Sequence, residues 1–309
     1  MSASTATATT ATAERAGTGA APAPPPTGRF APSPTGALHL GSLVAALGSY
    51  LDARAGGGRW LVRMEDLDRA RVVPGCEAQM LRTLEAFGLE WDGPVLRQSE
   101  RTALYADALG RLGAAGLTFE CSCTRRELGD EPGYPGTCRA GPRRPGPHAV
   151  RFRVPAGALT VADRIQGACH FDLAACGDVI VRRRDGAFAY QLAVVVDDAA
   201  QGVTDVVRGA DLLGSTPWQV ALQQALGLPP VRYAHLPLLT EPDGAKLAKS
   251  RHSVPLDPAR APQLLCRGLG LLGQEPPAKL ELEPIRVVLG WARAHWRLGP
   301  LQGIREVRV

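Results

Sequence analysis

Between Gly28 and Asp66 the apolar residues change period twice, and few architectures accept that order of elements. Gly28-Arg29-Phe30 reads as a short strand closed by Pro32 and Pro34. From near His39, residues Leu40, Leu43, Val44, Leu47, Tyr50 and Leu51 fall on one helical face, and Gly56-Gly57-Gly58 ends the run. Trp60, Val62 and Met64 then alternate as a second strand that stops at Glu65-Asp66. Strand, helix and strand in that order make a βαβ unit, which needs a parallel sheet, so the predicted class is α/β. The turn Ser33-Pro34-Thr35-Gly36 delivers the chain to the helix start, where unpaired N–H groups and the positive end of the dipole favour a phosphate. Gly36 and Gly41 allow close backbone approach there, and His39 can donate to a phosphate oxygen.

Further along, amphipathic helices are predicted around 76–88 and 100–116. Residues 119–148 are dense in Cys, Gly, Pro and Arg with little periodicity. Strands are expected at 149–154 and 159–165, and a hairpin from Val179-Ile180-Val181 through Asp185-Gly186 to Tyr190–Val196, because Asp-Gly suits a tight hairpin turn. A helix over 215–226 has Ser215 as its cap and Pro217 in its first turn. A strand His235–Leu239 leads through a Pro-Asp-Gly turn to Lys246-Leu247-Ala248-Lys249-Ser250, and 256–309 read as helices with turns. Two lysines on a glycine-flanked loop can reach a polyphosphate as point charges.

The formal charge of +5 and pI near 9.0 suit an anionic partner such as RNA or a nucleotide. No run approaches the roughly 20 apolar residues of a membrane span, so no membrane role is expected. Residues 1–28, mostly Ala, Thr, Pro and Gly, are expected to form a disordered tail. Seven cysteines fit a secreted disulfide framework poorly, whereas the close spacing of Cys121, Cys123 and Cys138 reads as metal binding in a reducing cytosol. A closed zinc site takes four ligands, and Tyr134 and His148 are the candidates for the fourth. Cys76, Cys169, Cys176 and Cys266 are expected to be buried small hydrophobes.

His39-Leu40-Gly41-Ser42 resembles the HIGH signature of class I aminoacyl-tRNA synthetases, and Lys246–Ser250 resembles their KMSKS signature. Arg29-Phe30-Ala31-Pro32-Ser33-Pro34-Thr35-Gly36 is similar to the opening of glutamyl-tRNA synthetases. Arg63-Met64-Glu65-Asp66-Leu67-Asp68 is similar to their second strand, and Val207–Leu213 with Ser215-Thr216-Pro217 to a later segment. The resemblance implies a Rossmann-like parallel-sheet nucleotide-binding domain in two halves, 29–118 and 189–255. Between them would lie an inserted zinc-containing α+β subdomain at 119–188, and after them a short helical C-terminal region at 256–309. It also implies that L-glutamate and ATP, with Mg²⁺, form glutamyl-adenylate and pyrophosphate. His39 and Lys249, assisted by Lys246, would contact phosphates, with Pro32, Gly41 and Ser42 beside the nucleotide; Ala248 departs from the usual Ser. Arg29 and Arg208 would hold carboxylates, Glu65 the ammonium group and Tyr190 would donate a hydroxyl, with Phe30, Ala31, Pro32 and Ser33 alongside. A glutaminyl relative would differ around Val207-Arg208-Gly209, so the resemblance implies glutamate over glutamine.

The short stretch after Ser250, the spacing of Cys121, Cys123, Tyr134 and Cys138, and Tyr190-Gln191-Leu192-Ala193-Val194 resemble the glutamyl-Q tRNA(Asp) synthetase branch. (Standard tRNA-charging relatives tend to carry Asn where Val194 stands.) In that branch Tyr134 completes the zinc set, and activated glutamate passes to queuosine in the anticodon of tRNA(Asp). The inserted segment would then face RNA through Arg139, Arg143, Arg144, Arg151, Arg153 and Arg182–Arg184. Arg182 and Arg184 would share one strand face, RNA-facing or simply solvated. A cytoplasmic monomer is expected. The alternatives are a truncated glutamyl-tRNA synthetase charging a 3′ end, a non-catalytic RNA- or amino-acid-binding paralogue, and a generic nucleotidyltransferase. The last shares the His39 loop but not Arg29, Glu65, Tyr190 and Arg208.

Overall fold

The computed structural model describes residues 24–129, 133–241 and 254–309. β1 (Thr27–Phe30) leads into α1 (Leu40–Ala55) and β2 (Arg59–Met64), and the two strands pair in parallel with Arg29 opposite Leu61. α2 (Cys76–Ala86) returns the chain to β3 (Leu96–Arg97), which extends the parallel set beyond β2. α3 (Thr102–Ala114), β4 (Thr118–Cys121), α4 (Arg125–Leu128), β5 (Ala149–Phe152), β6 (Ala158–Asp163), β7 (Gly167–Asp172), α5 (Leu173–Cys176) and β8 (Val179–Arg182) follow. The chain then forms α6 (Tyr190–Ala200), β9 (Asp205–Gly209), α7 (Thr216–Leu226), β10 (Arg232–Leu236) and β11 (Leu238–Thr240). α8 (Ala261–Leu271), α9 (Ile285–His295) and β12 (Glu306–Arg308) complete it.

β9 runs beside β1: the Thr204 N–H donates to the Thr27 carbonyl at 2.9 Å, and the Thr27 N–H to Thr204 Oγ1 at 2.9 Å. β10 pairs in parallel with β9, and β6 touches β10 in parallel at Tyr233–Asp163. The ends of β1, β9 and β10 therefore open on one side, the crevice where open α/β sheets bind ligands. α1 is clamped between this sheet and α8 and α9, with Leu43, Leu47 and Leu51 in one buried cluster with Leu265, Leu269 and Val288. A second cluster joins α3, α6, α7 and β5 through Tyr105, Leu112, Leu192, Leu222 and Phe152.

Five expectations need correction. β2 does not alternate between core and solvent: Leu61 and Arg63 are as buried as Trp60, Val62 and Met64, because a parallel strand is covered on both faces. Tyr190–Val196 is not the return strand of a hairpin but the start of α6. The turn at Asp185-Gly186 forms, with Gly186 at φ +89°, yet the ladder behind it is one bridge between Arg182 and Phe188. The helix cost of three valines is below about 1 kcal/mol each. Burying Leu192, Val194 and Val195 outweighs it, as a fully buried aliphatic side chain contributes roughly 1.5–3 kcal/mol. Arg184 lies past β8, so it shares no strand face with Arg182; its guanidinium donates to the Ser122 carbonyl at 2.9 Å. Ser215 sits at the cap position of α7, but its hydroxyl accepts from Gln191 Nε2 at 2.9 Å instead of capping the helix. The expected strand His235–Leu239 is divided at Pro237, and β7 and β12 were not anticipated.

Candidate active site and cysteine cluster

A cavity of about 560 Å³ opens at the ends of β1, β9 and β10, within the range of small-molecule sites. Its wall includes Arg29, Phe30, Ala31, Pro32, Ser33, His39, Gly41, Ser42, Glu65, Tyr190 and Arg208. Residues drawn from five separate stretches of sequence thus meet at one crevice. Lys246, Ala248 and Lys249 lie outside the described residues.

His39 is the N-cap of α1, and its Nδ1 accepts from the Gly41 N–H at 3.1 Å, so a neutral ring carries its proton on Nε2. Ser42 Oγ accepts the His39 N–H at 2.7 Å and donates to the His39 carbonyl at 2.8 Å, which commits that hydroxyl to the cap. A Cβ at position 41 would meet His39 Cε1 at 3.0 Å, so glycine lets the ring lie against the helix start. No acidic residue occupies the first turn, so the positive dipole end borders the cavity with no carboxylate of its own helix turn beside it. The preceding turn is fastened to the segment after β2. The Glu65 N–H donates to the Pro32 carbonyl and the Val73 N–H to that of Pro34, each at 2.9 Å. The Gly36 N–H reaches Cys76 Sγ at 3.2 Å.

Beneath Glu65 lies a buried charge network. Arg29 Nε contacts Asp198 Oδ1 at 3.2 Å, and Arg63 reaches Asp198 at 2.8 Å and Glu65 at 3.7 Å. Burial raises the Glu65 carboxyl, Arg63 and Arg29 counteract it, and the outcome is about 7. Asp198 is held below the usual carboxylate range because Arg29 and Arg63 outweigh its burial. The neighbouring Asp197 accepts from Arg101 Nε at 2.6 Å, the Tyr105 hydroxyl at 2.7 Å and Gln98 Nε2 at 2.9 Å. Arg63, Asp197 and Asp198 were not singled out from sequence. Their one signal was a charge inside or directly beside a buried apolar run.

Arg208 enters from β9. It donates through Nε to His235 Nε2 at 3.0 Å, through NH2 to Thr216 Oγ1 at 3.0 Å and through NH1 to the Tyr190 hydroxyl at 3.4 Å. His235 in turn contacts Asp163 Oδ2 through Nδ1 at 2.6 Å.

Away from the cavity, the sulfurs of Cys121, Cys123 and Cys138 lie within 4.8 Å of one another. The Tyr134 hydroxyl sits 3.4 Å from Cys121 Sγ and 3.7 Å from Cys123 Sγ, and accepts the Cys138 N–H at 2.8 Å. Both ring nitrogens of His148 are engaged elsewhere, Nδ1 with Glu120 at 3.1 Å and Nε2 with the Arg144 carbonyl at 2.6 Å. Burial would raise the Cys138 thiol, but bonds from Tyr134, Ser122 and Cys123 outweigh it and bring it to about 6. Gly177, at φ +68°, lies so close that a Cβ would collide with the Tyr134 backbone nitrogen. Of the other cysteines Cys76 and Cys266 are buried, while Cys169 and Cys176 are only partly so. Several arginines expected to face RNA also brace this segment. Arg139 forks onto Asp178 at 2.6 and 2.7 Å, and Arg151 donates to the Asp178 carbonyl at 2.8 Å and lies over the Tyr134 ring at 3.8 Å.

The family described as tRNA synthetases class I (E and Q), catalytic domain, matches residues 27–283. The chain is 54% identical over 271 residues to the glutamyl-Q tRNA(Asp) synthetase of Pseudomonas fluorescens, spanning 87% of this chain and 91% of that one. It is 56% identical to the glutamyl-Q tRNA(Asp) synthetase of Ectopseudomonas mendocina, spanning 87% and 92%. Among solved structures it is similar to a glutamate tRNA ligase from Elizabethkingia meningosepticum, crystallised with its amino acid. There the TM-score is 0.76 and the identity 26%, over 92% of this chain and 67% of that one.

Proposed function

This chain belongs to the class I tRNA synthetases (E and Q), among the glutamyl-Q tRNA(Asp) synthetases, and on that premise we propose that it activates L-glutamate with ATP and transfers it to queuosine in the anticodon of tRNA(Asp). The observation that carries this reading is one cavity whose wall joins a helix start and its imidazole cap with two arginines, a carboxylate and a phenol. In the first step an oxygen of the glutamate α-carboxylate attacks the α-phosphorus of ATP, and pyrophosphate leaves. Arg29 and Arg208 hold the two carboxylates, Glu65 pairs with the ammonium group, and Tyr190 orients its neighbours by hydrogen bonding. The His39 Nε2–H and the positive end of the α1 dipole meet charge growing on phosphate oxygens, and Lys246 and Lys249 belong to the same task. In the second step a hydroxyl of the queuosine cyclopentenediol attacks the activated carbonyl and AMP leaves.

In this reading the catalytic domain comprises 29–118 and 189–255, the segment 119–188 is an insertion whose β6 returns to pair with β10 of the catalytic half, 256–309 is a helical region and 1–28 a tail. Three thiols and a phenol oxygen gathered at one point suit zinc, which prefers sulfur and a tetrahedral shell. Cys121, Cys123, Cys138 and Tyr134 would hold it, and its role is to fix the segment's shape. Exposed arginines on this segment, Arg143 and Arg182 among them, would meet RNA phosphates.

The test has two stages. Glutamate-dependent ATP–pyrophosphate exchange is expected without RNA, followed by labelled glutamate on the queuosine nucleoside of digested tRNA(Asp). Label on a 3′-terminal adenosine would transfer the reading to tRNA charging, and absence of exchange would remove the enzymatic reading altogether.

A further inference from the structure

Arg29 and Arg208 both border the cavity, yet they are anchored in opposite ways. Arg29 is paired with a carboxylate, Asp198, at 3.2 Å. Arg208 is anchored by His235 Nε2 at 3.0 Å, Thr216 Oγ1 at 3.0 Å, and the Tyr190 hydroxyl and Leu212 carbonyl at 3.4 Å each. A guanidinium has no acceptor, so the Arg208 Nε–H must donate, and His235 Nε2 must carry a lone pair. The ring proton therefore sits on Nδ1 and is donated to Asp163 Oδ2 at 2.6 Å. The ring is neutral, since burial and the Arg208 charge outweigh the pull of Asp163 on its proton affinity. Every anchor of Arg208 is thus uncharged, and its positive charge is left to face the cavity.

Asp163 is itself held rigidly. Its Oδ1 accepts from the Ile165 N–H at 2.9 Å, the Gln166 N–H at 2.8 Å and the His235 N–H at 3.2 Å, which leaves Oδ2 for the ring. Burial would raise this carboxyl, but the His235 bond and the two following amides bring it to about 2, so it stays ionised.

We propose that Asp163 and His235 are positioning residues for the amino-acid end of the site: Asp163 selects the Nδ1–H tautomer of His235, and that tautomer aims Arg208 at a substrate carboxylate without neutralising it. A carboxylate in direct contact would orient Arg208 equally well but would compete with the substrate; an imidazole backed by a remote acid orients without competing. This rests on the reading of Arg208 as a holder of a glutamate carboxylate. Asp163 and His235 lie 72 residues apart, so no local motif announces them.

The experiment begins with ¹⁵N NMR of histidine-labelled protein at neutral pH. His235 is expected to show a protonated Nδ1 and an unprotonated Nε2; a protonated Nε2 or a charged ring overturns the proposal without any variant. Asp163→Asn then keeps the oxygen that accepts three backbone amides and places an NH₂ group where Oδ2 was. The ring should switch to the Nε2–H tautomer, setting two donors against each other at Arg208. In ATP–pyrophosphate exchange the KM for glutamate should rise at least about tenfold, with the KM for ATP within about twofold. His235→Gln, which can offer an oxygen to Arg208, should lose less than His235→Leu. A switched tautomer with an unmoved glutamate KM, or equal rises in both KM values, overturns the relay alone. Failure of the wild type to exchange at all overturns the glutamate reading on which it rests.

Discussion

The region around α1 and the segment between β4 and β5 place their functional groups by contrasting means. Around α1 the shape follows from apolar burial: Leu43, Leu47, Leu51, Leu265, Leu269 and Val288 are all but inaccessible, and His39 and Glu65 ride on elements fixed by that core. Between β4 and β5 the buried cluster is Phe119, Cys121 and Cys138, with α4 the one short helix among the described residues. There the shape is held by side-chain ties such as Arg139 to Asp178 and Tyr134 to the cysteines. A segment too small to bury much apolar surface can thus still be ordered by a few strong contacts. A metal held by the three sulfurs would be the strongest of these.

Three measurements would tell these two modes of support apart. The largest effect is expected from Leu47→Ala, which opens a cavity where α1 meets α8, and should lower unfolding free energy by about 2–5 kcal/mol in urea denaturation. A loss below about 1 kcal/mol would mean that packing on α1 does not hold the site. Next, removing metal with a chelator, or Cys123→Ser, should abolish amide hydrogen-exchange protection in 119–148 while shifting global unfolding by less than about 1 kcal/mol. Cooperative loss of protection around α1 would show that the two regions are one unit. The smallest effect concerns Glu65. Its carboxyl is raised to about 7, so acidification protonates it and removes the partner proposed above for the substrate ammonium. The KM for glutamate should climb toward about tenfold per pH unit below 7, with the KM for ATP flat. Stability should move the other way. The folded carboxyl takes up its proton at a higher pH than the unfolded one, so this group favours folding as pH falls from 7 towards 4.5. Glu65→Gln should erase both trends.

The first βαβ unit was legible because its periods, its Pro and Gly breaks and its cap are local properties of residues 28–66, and the motif residues of the cavity came with the resemblance. What escaped was set by distant partners. Tyr190–Val196 has the composition of a strand, but it forms α6 because its apolar residues bury against α3 and α7 while Asp197 and Asp198 find cationic partners there. β7 carries few core residues, and β12 forms only by pairing with β11. Arg63, Asp163 and His235 stood in strand-like runs as polar residues without a stated purpose; their partners lie far along the chain. The cysteine spacing gave the cluster but left Tyr134 and His148 open, because proximity in sequence does not say which ring turns inward.

β12 lies alongside β11 with Val307 opposite Leu239, and β11 contributes Leu238 and Leu239 to the cavity wall. The final residues are therefore a splint on the outside of the pocket. A fusion partner appended after Val309 would hang from the same ribbon that lines the cavity, and clipping the chain at Arg305 would strip that ribbon of its backbone partner.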